Sequence, residues 1–156
     1  MKKSTLFIIG LLATVSFSYG QEKNSNLVFD SALAARVGAD DYGMKKYVMA
    51  FLKSGKVKIE DEAKRSALMT AHLKNIQRMA LEGKLVVAGP FLDQQPIRGI
   101  YIFNVTSIEE AAKLTETDPA IQAGTLEMEL HPWYGSAALM EVVRIHKTLE
   151  KVDMTK

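Results

Sequence analysis

The segment KLVVAGPFLDQQPIRGIYIFNV, residues 84–105, decides the fold because it holds two strand-like runs separated by a turn-rich connection. Apolar and β-branched residues dominate 84–88 and 99–105, a composition and length typical of β-strands. Gly89-Pro90 is expected to end the first of these two strands, which is the second strand of the domain, and residues 91–96 form the connecting loop. The segment therefore predicts two consecutive strands in the middle of a domain.

Each side of this segment contributes one helix and one further strand. On the N-terminal side, 46–52 is typical of a strand and 61–82 of a long helix with an acidic first turn. On the C-terminal side, a capping box opens a helix over 107–116, and 126–131 is typical of a strand. The order β-α-β-β-α-β predicts an α+β fold of ferredoxin-like type.

The predicted domain spans residues 45–135 and carries an extension at each end. In the N-terminal extension, 21–44, Asp30 is a natural N-cap for a short helix that Gly38 ends. The C-terminal extension, 136–156, is predicted to be a helix, and Ser136 is suited to cap it.

Residues 1–20 have the composition of a secretory signal peptide. Lys2 and Lys3 precede an apolar run over 5–17, and small residues at 18 and 20 suit cleavage before Gln21. We expect an exported protein, periplasmic or secreted, with no membrane segment after cleavage. A buried N-terminal helix is the alternative interpretation.

Composition excludes several classes of function. Cleavage would remove two of the 20 basic residues and leave a near-neutral chain, which argues against nucleic acid as a partner. The chain has no cysteine, so disulfides, thiolate chemistry and cysteine-based zinc sites are excluded. Metalloprotease, phosphate-loop, dinucleotide-binding and serine-hydrolase motifs are absent from the sequence. We therefore expect no metal and no cofactor.

The pattern of the last two strands predicts a partner subunit. Apolar residues alternate with polar ones in the last strand, with Leu126, Met128 and Leu130 on one face and Glu127, Glu129 and His131 on the other. The strand before it is apolar on both faces, with Ile100 and Ile102 opposite Tyr101 and Phe103. Two helices cover only one face of such a sheet, so we expect a homodimer that buries the second face.

His72 and Asp118 are the residues most suited to acid/base chemistry. His72 lies within the apolar stripe of the long helix, together with Leu68, Ile76 and Met79. It is either a functional imidazole or a core histidine that bonds a backbone carbonyl. Asp118 precedes Pro119, so its position is explained by helix capping, with which catalysis is compatible.

Other residues are candidates for ligand binding. Gly89-Pro90 is either a strand terminator or a backbone segment that approaches a ligand closely. Arg98 could bind an anionic group, or it is a solvated edge residue. Trp133 and Tyr134 could line a pocket, or they pack the C-terminal segment.

Two further residues carry weaker predictions. Asp93, in the loop after the second strand, is a weaker carboxylate candidate, and His146 is expected to be a surface residue of the C-terminal helix.

Three segments, in this order, resemble the signature of the YciI-like (YCII-related) family. They are AHL at 71–73, EGKLVVAGPF at 82–91 and DPAIQAG at 118–124. The resemblance covers about residues 45–134. It implies a dimeric α+β barrel of ferredoxin-like subunits, and a pocket where a helix histidine meets the aspartate of the Asp-Pro motif. These two residues correspond to His72 and Asp118.

The resemblance favours a small-molecule enzyme, since some relatives are similar to dehydrochlorinases of aromatic-degradation pathways. We expect His72 to act as general acid or base with Asp118 as its orienting partner. Elimination, isomerisation or hydrolysis of a small molecule would suit this pair without a cofactor. The alternatives are a non-catalytic exported binding protein and a purely structural dimer.

Overall fold

A computed structural model describes residues 28–93 and 95–154. The predicted signal peptide lies outside these residues, as does most of the polar stretch that follows it. Within the described ranges, no helix is long and apolar enough to cross a membrane.

Four antiparallel strands and five α-helices make up the described chain. The strands are β1 Met44–Ser54, β2 Leu85–Pro90, β3 Ile97–Phe103 and β4 Leu126–Ser136. The helices are α1 Ser31–Val37, α2 Glu62–Leu81, α3 Ile108–Thr115, α4 Pro119–Gln122 and α5 Val142–Leu149, with a 3₁₀ helix at Ala137–Glu141. The sheet order is β2-β3-β1-β4, which confirms the predicted ferredoxin-like arrangement.

The helix termini follow the capping signals in the sequence. The Asp61 side chain accepts a hydrogen bond from the backbone N–H of Lys64 at the start of α2, at 2.8 Å. Ser107 caps α3 in the same way through the N–H of Glu110. Gly38 ends α1 with a φ of 70°, a left-handed conformation that glycine adopts without strain.

The main core lies between the sheet and helices α2 and α3. Val48, Ala50 and Leu52 of β1 face the helices, together with Tyr101 and Phe103 of β3. The apolar residues Leu126, Met128 and Leu130 of β4 pack against the same core, as their alternation predicted. Helix α2 packs on this face of the sheet, so His72 lies on the same side.

The second face of the sheet has a smaller core that the chain itself partly covers. Tyr47, Val86 and Ile102 are buried there. Leu139 and Met140 of the 3₁₀ helix pack against them, so the C-terminal extension supplies cover that was expected from a partner subunit alone. The homodimer stays a prediction.

The sequence suggested that β2 ends before Gly89-Pro90, but the strand includes both residues. Gly89 pairs with Ile100, and Pro90 pairs with Gly99. Proline is tolerated because β2 is an edge strand. Gly99 permits the pairing, since a Cβ atom there would lie 2.5 Å from the carbonyl oxygen of Gly89.

Strand β4 is also longer than predicted, and the C-terminal helix is shorter. The strand runs through Pro132, which lies opposite Val48 in the pairing with β1. The predicted single helix is divided into the 3₁₀ helix and α5, and Ser136 caps the 3₁₀ helix through the N–H of Ala138. None of the residues of α5 is buried.

Candidate active site

His72 lies on the inward face of α2, and only 7% of its surface is exposed. Its Nδ1 atom lies 2.9 Å from both carboxylate oxygens of Asp118. The two residues come from different elements, α2 and the segment before α4. The structure therefore brings together the two residues expected to carry the chemistry.

Asp118 is fully buried, with 0% of its surface exposed. One carboxylate oxygen accepts a hydrogen bond from the backbone N–H of Ala120 at 2.9 Å, as an N-cap of α4 with Pro119 at the first helical position. Capping and histidine binding therefore coexist in one side chain. The cap fixes the direction in which the carboxylate meets His72.

The Asp118 carboxylate determines which nitrogen of His72 carries a hydrogen. An ionised carboxylate only accepts hydrogen bonds, so Nδ1 is the donor of this contact. In a neutral imidazole the other nitrogen, Nε2, then has no hydrogen and offers a lone pair. The pair thus holds His72 in the tautomer that can act as a base at Nε2.

Tyr101 is the third buried polar side chain of the site, and the sequence did not single it out as functional. Its hydroxyl oxygen lies 3.4 Å from Nε2 of His72 and 3.5 Å from Oδ2 of Asp118. Burial raises the pKa of the Tyr101 phenol well above 10, and the negative charge of Asp118 raises it further. The sequence could have indicated a role for Tyr101 only through its position on the face of the third strand that packs beneath the helix carrying His72.

A polar network links α2 to the segment that carries Asp118. The Arg78 guanidinium donates hydrogen bonds to Asn75 Oδ1 at 2.8 Å and to Thr117 Oγ1 at 3.0 Å. Arg78 also pairs with Glu82 one turn further along α2. Because Thr117 immediately precedes Asp118, the network holds the backbone at the site next to the helix that bears His72.

A cavity of about 870 Å³ opens beside His72 and Tyr101. Its walls include α2, with Leu68, Leu73 and Ile76; β2, with Val86 and Val87; and α5, with Val142, Val143 and His146; residues of the other strands also contribute to the lining. Asp118 is not part of the lining, so it acts on the cavity through His72. The volume and apolar walls are typical of small-molecule sites.

The C-terminal segment forms one wall of the cavity and is tied to α2 at its far end. Gln77 donates a hydrogen bond to the Asp153 carboxylate at 3.1 Å. Met154 lines the cavity as well. His146, expected at the surface, is indeed exposed, but it also contributes to this wall.

The structure places only part of the predicted ligand-binding set at the cavity. Gly89, Pro90 and Arg98 contribute to its lining.

Trp133 and Tyr134 do not contribute to the lining, which β4 reaches only at its first residue, Leu126. Trp133 packs on Tyr47 in the second face, with ring centroids 5.9 Å apart. The Tyr134 hydroxyl donates to Asp40. Both side chains therefore pack against other parts of the chain and not against the cavity.

Asp93 also lies outside the lining of this cavity. No group of three or more His, Asp or Glu side chains in residues 28–93 and 95–154 is arranged to hold a metal ion.

An α+β sandwich of ferredoxin-like order, with a buried His–Asp pair beside a cavity, defines the class of this protein. The chain belongs to the YCII-related domain family, whose model matches residues 47–134. This finding confirms the resemblance seen in the sequence.

Two known proteins illustrate the likeness. The uncharacterized protein YjpA from Bacillus subtilis (strain 168) is 29% identical over 90 residues, which are 58% of this chain and 95% of YjpA. A solved structure of 5-chloro-2-hydroxyhydroquinone dehydrochlorinase (TftG) from Burkholderia phenoliruptrix AC1100, in complex with 2,5-dihydroxybenzoquinone, superposes with a TM-score of 0.42 at 20% identity. The superposition covers 55% of this chain and 92% of that one.

Proposed function

We propose that this chain is an exported enzyme that performs acid/base chemistry on a small molecule with His72 and Asp118, without a cofactor. The observation that carries the proposal is the buried pair itself, at 2.9 Å, at the edge of a cavity large enough for a ligand. A titratable pair that is shielded from water and adjoins a cavity is typical of catalytic sites.

In the proposed mechanism, His72 accepts a proton at Nε2 and Asp118 compensates the charge that appears on the ring. The carboxylate stabilises the imidazolium and holds the ring in position, since it contacts Nδ1 through both oxygens. Return of the proton to another ligand atom would complete an isomerisation, and loss of a leaving group would complete an elimination. Transfer from water would support hydrolysis.

The walls of the cavity favour an apolar ligand with one anionic group. Leu68, Leu73 and Ile76 form an apolar side. The charged side chains of the lining are mostly cationic: Lys58, Arg65, Arg98 and Lys147, against Glu150 and Asp153. A positive group next to the developing negative charge of a deprotonated ligand would stabilise the transition state.

Export and dimerisation belong to the same proposal. The composition of residues 1–20 supports export. Partly exposed apolar side chains on the second sheet face, Met49, Phe51 and Ile100, support a homodimer that covers them. Light scattering coupled to gel filtration of the cleaved protein checks the dimer, which a monomer at micromolar concentration would exclude.

The test of the activity is exchange of ligand protons for deuterium. The purified protein is incubated in D₂O with a panel of cyclic ketones, hydroxylated and chlorinated rings and their carboxylates, and NMR reports loss of acidic C–H signals. We expect at least one compound to exchange with the natural protein and not with His72→Gln. His131→Gln is the matched control, because His131 is exposed and bonds Glu129 on the second face.

A non-catalytic binding protein is the second candidate, and the size and apolar lining of the cavity favour it. A compound that raises the Tm without exchange or turnover in any member of the panel would support binding alone. It would contradict the enzymatic proposal.

A further inference from the structure

The hydroxyl of Tyr101 lies against the nitrogen that the proposed reaction needs. Asp118 occupies Nδ1 of His72, so Nε2 is the only ring nitrogen left to exchange a proton with a ligand. The polar side-chain contact recorded at Nε2 is the Tyr101 hydroxyl, at 3.4 Å. The same hydroxyl lies 3.5 Å from Oδ2 of Asp118, and both His72 and Tyr101 line the cavity, so the phenol is placed where a ligand proton could reach Nε2 through it.

The surroundings of Tyr101 hold the hydroxyl in this place. The residue is 2% exposed, and its ring lies nearly parallel to that of His72, with an interplanar angle of 21° and centroids 6.4 Å apart. Phe103 packs edge-on against the same ring, with centroids 5.7 Å apart. Displacement of such a ring would disturb the main core, whereas passage of a proton through the hydroxyl requires only that the 3.4 Å contact closes to an ordinary hydrogen-bond length.

We propose that Tyr101 is a further catalytic residue, whose hydroxyl meets the ligand and relays its proton to Nε2 of His72. This inference rests on the proposed acid/base function of the His72–Asp118 pair and adds the group that contacts the ligand. Tyr101 contributes to the lining of the cavity, as that role requires.

The relay balances without a net change in the tyrosine. The phenol oxygen forms a bond to the ligand proton as the ligand's C–H or O–H bond breaks, and the phenol's own proton moves to Nε2. The electron pair stays on the ligand, which becomes its conjugate base, and His72 becomes an imidazolium paired with the Asp118 carboxylate. The reverse movement returns a proton to the ligand.

The electrostatics favour a relay over an independent phenolate base. Burial and the charge of Asp118 keep the pKa of Tyr101 above its usual value, so a phenolate beside the carboxylate is unfavourable. A phenol that gives and receives a proton in one step never carries the full negative charge. His72 remains the group that stores the proton.

Tyr101→Phe tests the relay because it removes only the hydroxyl. The matched control is Tyr47→Phe, which removes a hydroxyl from a buried tyrosine on the second face that donates to the carbonyl of Ser136. We expect Tyr101→Phe to slow deuterium exchange of a responsive compound by on the order of 100-fold, a usual contribution of one acid/base group. Tyr47→Phe should leave the rate within about twofold, and His72→Gln should abolish exchange.

Nitrogen-15 NMR of His72 separates a catalytic role from a structural one. The two ring nitrogens of His72 should give the same signals in the natural and Tyr101→Phe proteins, so that any loss of rate reflects the missing hydroxyl. A Tyr101→Phe variant that exchanges as fast as the natural protein, while His72→Gln is inactive, would overturn the relay and leave the proposed function standing. If His72→Gln exchanges normally, or the natural protein neither exchanges nor turns over any compound, the proposed function fails and the relay fails with it.

Discussion

Asp118 contacts Nδ1 of His72 through both carboxylate oxygens while one of those oxygens also caps a helix, so a single buried carboxylate fixes two structures at once. The two residues are 46 positions apart in the chain. Their contact therefore depends on the packing of α4 against α2. Substitutions at either residue should separate the part played by charge from the part played by backbone geometry.

Replacement of Asp118 by Asn should keep the helix cap and remove the charge. The amide oxygen can still accept from the N–H of Ala120, but the amide nitrogen then faces Nδ1 of His72 and favours the tautomer with hydrogen on Nε2. We expect the rate of deuterium exchange to fall on the order of 100-fold or more, with a native circular-dichroism spectrum.

The comparison variant is Asp118→Ala, which loses the cap as well and should cost about 1 kcal/mol more in the free energy of unfolding. Equal exchange rates in Asp118→Asn and the natural protein would exclude a role for the charge.

Replacement of His72 by Phe tests how far the buried Asp118 carboxylate depends on its imidazole partner. The phenyl ring fills similar space but leaves the buried Asp118 carboxylate without its main partner. We expect the free energy of unfolding at pH 7, measured by urea denaturation, to fall by about 3 kcal/mol.

His131→Phe serves as the control, since this exposed histidine should change stability by less than about 0.5 kcal/mol. A His72→Phe variant as stable as the natural protein, or more stable, would favour a purely structural dimer.

The raised pKa of Tyr101 predicts a loss of stability in alkaline solution. In the unfolded chain the phenol ionises near its ordinary pKa of 10.0, whereas in the folded chain it stays protonated to higher pH. The folded state therefore binds more protons above pH 10, and this contribution to stability is complete below pH 10 and is lost as pH rises beyond it. Each such group contributes up to about 1.4 kcal/mol per pH unit.

The measurement is urea denaturation of the natural protein and Tyr101→Phe at pH 9 and pH 11. The decrease between the two pH values should be smaller in Tyr101→Phe, because the variant has no phenol to ionise on unfolding. Burial also raises the pKa of Tyr47, so Tyr47→Phe should show a reduced loss of the same sign. Parallel curves for the natural protein and Tyr101→Phe would contradict the prediction.

Because α5 forms part of the cavity wall, we expect side chains on its cavity side, and not those on its outer side, to affect ligand binding. Val143 faces the cavity, while Ile145, two residues later, is 45% exposed and does not contribute to the lining. Val143→Trp should reduce the cavity and weaken binding of an apolar anion such as 1-anilinonaphthalene-8-sulfonate by about tenfold, or roughly 1.4 kcal/mol. Ile145→Trp adds the same side chain on the outer side and should leave the fluorescence titration unchanged. Equal weakening in both variants would show that the dye binds elsewhere.

Sequence patterns predicted the features that depend on local structure. The caps at Asp30 and Ser107 and the alternation of β4 act over a few residues, so these helix starts and the buried face followed directly from them. The position of His72 in an apolar stripe also marked it as unusual. Its pairing with Asp118 came from the family resemblance, since no spacing in the chain reveals it.

Features that depend on tertiary placement could not be predicted in this way. Pro90 extends β2 only because that strand lies at the edge of the sheet, a position that the local sequence does not specify. Trp133 resembles a pocket residue by type, but it packs on Tyr47 on the second face of the sheet. Tyr101 belongs to the site only because α2 places His72 next to it. One wall of the cavity comes from a C-terminal segment that lies outside the matched domain.

Because none of the residues of α5 is buried, we expect this wall of the cavity to open locally more easily than the rest of the fold. A helix that contributes nothing to the core detaches at a small fraction of the free energy of global unfolding. The hydrogen bond between Gln77 and Asp153 joins the segment after α5 to α2. Such an opening would admit a ligand while α2, the sheet and the His72–Asp118 pair keep their arrangement.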